Sequence, residues 1–162
     1  ATVTGSWVMT NSNCRKGVLL HELGHNYGME HSMVQTPGDG QLHDYADLQC
    51  AMGAATGGGE DAKCYSLPWL SYLGAATPTV VNADNLPQGT TRRFTLGLVH
   101  SGRGQGIAID AASFGAAGPA RYFLSLQGDS GPNAALKNMW VYDMPGIAPA
   151  LWRKVVSLHQ AP

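Results

Sequence analysis

The run His21-Glu22-Leu23-Gly24-His25-Asn26-Tyr27-Gly28-Met29-Glu30-His31 constrains this chain more than any other feature. His21 and His25 are four residues apart, and on an α-helix that spacing sends both rings off one face. The surrounding residues 15–27 predict such a helix, with Ser12 or Asn13 as its cap and Val18, Leu19 and Leu23 as apolar positions. Gly28 takes a left-handed C-terminal turn without steric penalty and so ends the helix. The chain can then swing back and present His31 as a third nitrogen. Three imidazoles with one position left open match a catalytic zinc site, in which Zn2+ takes nitrogen donors at about 2.0–2.1 Å. Glu22 adjoins the first histidine too closely to share the metal comfortably as a ligand. It is the candidate base toward a water that zinc makes acidic. The bland alternative, a helix with solvated or core-satisfied histidines, does not account for three His, one Glu and one Gly in this order.

The other segments set the organisation. Residues 3–9 predict a strand, 32–51 a loop with a turn at 37–40, and 66–73 a short helix capped by Ser66 and stopped by Gly74. Pro78, Pro87 and Gly89 mark 75–91 as a linker. Beyond it, 92–99, 106–110, 121–127, 139–143 and 153–159 are rich in β-formers, which predicts a small sandwich or sheet layer. The expected fold class is therefore α+β. A C-terminal part of a catalytic domain is expected over 1–74, and a linker with a β-rich domain over 75–162.

Composition removes several functions. With 44% hydrophobic and 13% charged residues, the 162-residue chain is globular in character, and its net charge of -1 offers no basic stripe for nucleic acid. No apolar run reaches the roughly 18 residues that span a bilayer. The glycine runs at 57–59 and 102–106 lack the Lys-Ser/Thr pair and following helix of a phosphate loop.

The motif from His21 to His31, followed by Cys50-Ala51-Met52-Gly53, resembles the metzincin signature with its Met-turn. Within that group the chain looks most like the gametolysin peptidases, on GVLLHELGHNYGMEHS, HDYADLQCAMG and CYSLPWLSYLGA, and more loosely on RYFLSLQGDSG and MWVYD. The resemblance implies a zinc endopeptidase with His21, His25 and His31 on the metal, Glu22 as catalytic base and Met52 beneath the site. It implies secretion, and protein or glycoprotein substrates of an extracellular matrix or cell wall. Fewer than 20 residues precede the zinc helix, so the sequence reads as a fragment without the upstream subdomain that walls the metzincin cleft. The competing reading is a catalytically incomplete fragment, or a glycoprotein-binding module that retains a zinc site.

Cys50 and Cys64 straddle the candidate Met-turn. A disulfide between them would close a loop of about 15 residues and stabilise it by about 3 kcal/mol in the chain-entropy view. The alternative is a pair of buried thiols; with the bridge formed, Cys14 would be the odd cysteine. Ser32 is either a bonding partner near the Met-turn or a solvated loop residue. His43 and Tyr45 are candidates to line a substrate pocket, whereas His100 and His159 read as structural.

Overall fold

A computed structural model describes residues 16–35, 42–47, 49–53, 63–101, 106–117, 121–128 and 154–160, with backbone alone at 34–35 and 154–160. The expected strands at 3–9 and 139–143, the caps Ser12 and Asn13, the turn at 37–40 and Cys14 lie outside these residues. The described residues form an α+β structure of two compact units, which divide in the chain between Tyr65 and Ser66.

The first unit carries helix α1, Lys16–Asn26. It ends in a Schellman turn. Met29 N–H bonds the Gly24 carbonyl at 3.0 Å, and Gly28 N–H bonds the His25 carbonyl at 2.9 Å, with Gly28 at φ 81°. Val18 and Leu23 are part-buried, but Leu19 is exposed rather than inward-facing. Past the turn, strands β1 (Val34–Gln35) and β2 (Leu42–His43) pair antiparallel, where the sequence predicted only loop. Met29, Cys50, Ala51 and Met52 form the buried apolar interior of this unit. Lys63 and Asp47 are buried in it too. Burial pushes the Lys63 ammonium below its ordinary value, and the neighbouring Asp47 charge opposes that shift.

The second unit opens with helix α2, Leu67–Tyr72. Pro68 sits in its first turn, where a missing N–H costs nothing. Ser66 occupies the N-cap position, but its side chain does not make the capping bond. Four strands follow: β3 (Thr79–Val81), β4 (Ile107–Asp110), β5 (Arg121–Gly128) and β6 (Lys154–Gln160). They form one sheet in chain order, with β3 parallel to β4 and the other pairs antiparallel. Leu67, Ala76, Val99, Ala108 and Phe123 make its core.

Among the described residues the β-rich part forms a single sheet layer, one of the two arrangements expected. Two expectations are corrected here. The linker at 75–91 contains strand β3, because Thr79–Val81 finds the edge of β4 to pair with. The β-formers at 92–99 do not make a strand. Only Leu98 bridges to β5, opposite Leu126, and Arg92 instead lies over the Phe94 ring at 4.9 Å.

Candidate metal centre

One turn of α1 separates His21 from His25, so both rings leave the same face, with centroids 4.8 Å apart. The Schellman turn then carries the chain back past them, and His31 closes the group with centroids 5.2 Å from His21 and 4.8 Å from His25. One candidate ligand atom from each of the three histidines lies within 4.8 Å of the others.

Hydrogen bonds select which nitrogen each ring presents. His21 Nδ1 faces the Ala51 carbonyl at 2.9 Å, and His25 Nδ1 faces the Met29 carbonyl at 2.9 Å. His31 Nδ1 faces both oxygens of Asp44, at 3.0 and 3.1 Å. Each of these partners accepts only, so each Nδ1 carries the proton and donates it. Every neutral ring is left with its lone pair on Nε2. The Nε2 atoms of His25 and His31 are 3.1 Å apart. Two lone pairs at that distance repel, and a cation between them removes the repulsion. Two nitrogens on one tetrahedral zinc are separated by about 3.3 Å. The donor set therefore fits a nitrogen-preferring divalent metal, held by outer partners of the kind that orient metal-binding histidines.

Electrostatics favour the neutral form of His21. His21 titrates below its ordinary value, first because burial disfavours its charged form and further because His25 and His31 stand near it. The bond to Ala51 and the charge of Glu22 oppose the shift. Glu22 lies on α1 beside His21, part-buried.

Met52 is fully buried and packs against Gly24 of α1. A side-chain carbon on Gly24, between the two helical histidines, would collide with its sulfur. The Met52 carbonyl accepts from Ser32 N–H at 2.9 Å, and its own N–H points to Cys50 Sγ at 3.4 Å. Ser32 is thus buried rather than solvated, and it bonds through its backbone. The bridge expected between Cys50 and Cys64 is not formed, and both residues are thiols. Cys50 Sγ is turned into the buried Met52 turn as an acceptor, while Cys64 meets that turn through its carbonyl, which accepts from Ala51 N–H at 3.0 Å.

Asp44 is the partner that the sequence reading passed over, although it stands between the two pocket candidates. Tyr45 is not remote from the histidines. Its ring lies 3.8 Å from that of His31 and 5.8 Å from that of His21, on a backbone with φ 61°. A non-glycine residue in that region is strained, and such strain gathers at functional sites. His43 is exposed on β2. His100 lies in a short 3-10 turn of the second unit, and His159 lies on β6.

No curated protein and no solved structure matches the chain. Among protein families, gametolysin peptidase M11 matches residues 1–102, a stretch that holds all three histidines, Glu22, Asp44 and Met52. A match over more than half of the chain, on the residues that build the three-histidine group, makes this protein a member of the gametolysin peptidase M11 family.

Proposed function

We propose that this chain carries a zinc-dependent endopeptidase centre of the metzincin type. The observation that carries the reading is the convergence of three imidazoles whose Nδ1 atoms are all committed to acceptors. His21, His25 and His31 would hold zinc through Nε2, and the Cys50–Gly53 turn would serve as the Met-turn beneath it. Zinc bound there supplies a Lewis acid that polarises a carbonyl and makes water acidic near neutral pH. Glu22 holds the transferable proton: its carboxylate takes it from the attacking water and delivers it to the leaving amine nitrogen. Asp44, Ala51 and Met29 keep the rings oriented with Nε2 inward. Family membership supports protein substrates, and we extend this to glycoproteins and to secreted action on a matrix or cell wall.

Glu22→Ala separates metal holding from proton transfer. Casein cleavage by the variant is expected to fall by about 10²- to 10⁴-fold while zinc content stays at the wild-type level. Cleavage at the wild-type rate would exclude this role for Glu22.

A further inference from the structure

The Tyr65 hydroxyl donates to the Leu20 carbonyl at 2.6 Å, across 45 residues of sequence. Leu20 lies within α1 and immediately precedes His21. In helical geometry its carbonyl also receives the Gly24 N–H, one turn further on. The phenol is therefore tied to the turn that carries His21. The ring of Tyr65 lies against the same turn. Its Cε1 is 3.3 Å from the point a side-chain carbon on Gly24 would occupy, beside the Met52 sulfur. The preceding residue acts on the same histidine through Ala51. The Cys64 carbonyl accepts from Ala51 N–H, and the Ala51 carbonyl accepts from His21 Nδ1.

Resting on the zinc reading above, we infer that Tyr65 is a positioning residue of the metal centre, which with Cys64 clamps His21 at its main chain and at its imidazole. Two consecutive residues thus fix both the height of the helix turn and the direction of the ring. Burial, with smaller contributions from Cys50 and Tyr27, raises the Tyr65 phenol above its ordinary range, so it remains a donor well into alkaline solution. The ring and the hydroxyl have separable tasks. The ring fills space over Gly24, and the hydroxyl sets the register of the histidine.

The test is Tyr65→Phe in the 162-residue chain, which keeps the ring and removes the donor. Zinc affinity is measured by competition with a chromophoric chelator, the visible spectrum is recorded with cobalt in place of zinc, and the helix content of the metal-free protein is followed by circular dichroism. The expected result is about tenfold weaker zinc binding, within the range seen when an outer partner of a metal ligand is lost, with an altered cobalt spectrum and unchanged helix content. Wild-type affinity with a wild-type cobalt spectrum would overturn the inference. If Tyr65→Phe does not fold without metal, the cobalt spectrum of the loaded protein decides, and a spectrum identical to wild type overturns it. A wild-type chain that takes up neither metal overturns the zinc reading and this inference with it. Wild-type binding with an unaffected variant overturns this inference alone.

Discussion

Each imidazole of the centre depends on one acceptor, and the acceptors are of two kinds. His21 and His25 use backbone carbonyls, which no substitution removes directly, whereas His31 uses the Asp44 carboxylate. Asp44→Asn is expected to weaken zinc binding by about 10- to 100-fold, because the amide no longer offers a charged acceptor to Nδ1 and leaves the His31 ring free to turn. Isothermal titration with zinc checks this, and an unchanged affinity would show that the Asp44 contact is incidental. The pH dependence follows from His21, whose folded-state pKa lies below the ordinary 6.5. The folded site favours the neutral ring, so the unfolded chain takes up protons first as pH falls. The stability that His21 contributes is complete above about pH 6.5 and is lost as pH falls from there through the folded value. Zinc occupancy should decline in the same direction, since the ligands must be neutral to bind, and equilibrium dialysis from about pH 8 to pH 5 measures it. The grouping of the three histidines was legible in the sequence because their spacing is local and helical geometry turns spacing into direction. Asp44 was not, because it meets His31 across a loop with no periodicity to read. Tyr65 reaches Leu20 from 45 residues away and left no signal of its own.

At the scale of elements, α1 and the turn after it do most of the positioning. Gly24 looks like a poor choice within a helix, where glycine costs about 1 kcal/mol relative to alanine. The Met52 sulfur and the Tyr65 ring explain it, since they occupy the space a side chain would need. Gly24→Ala should therefore destabilise the protein by about 1–3 kcal/mol despite its better helix propensity, through displacement of Met52. A lowered thermal midpoint would support this packing, and a raised one would contradict it. Gly28 is legible for a different reason: its position just past the last periodic residue marks a left-handed stop, and its φ of 81° agrees. The β-rich half was less legible. Ile107–Asp110, Arg121–Gly128 and Lys154–Gln160 are strands close to where β-formers cluster. Thr79–Val81 sits just after Pro78, in a stretch that composition marks as linker, and becomes a strand only because β4 pairs with it from 28 residues away (Thr79 with Ile107). Phe94 and its neighbours have the composition of a strand, but among the described residues they find no strand partner apart from the Leu98 bridge, which shows pairing prevailing over propensity.

For the whole molecule, the described parts of the metal centre all lie in the first unit, from α1 to Tyr65, while the second unit is organised around a mixed sheet with its own core. The centre's partners are therefore drawn from four stretches of that unit: the helix, the turn that follows it, the Asp44–Tyr45 loop and the Cys50–Tyr65 region. Binding at such a site is worth most to the folded state that assembles it, so metal and fold should be coupled. The most direct test of the account is the zinc stoichiometry of the purified chain, measured by elemental analysis after dialysis against buffer with trace zinc, beside His31→Ala. About one zinc per wild-type chain, and a large loss in the variant, is the predicted result. No zinc in the wild-type protein, or undiminished zinc in His31→Ala, would contradict it.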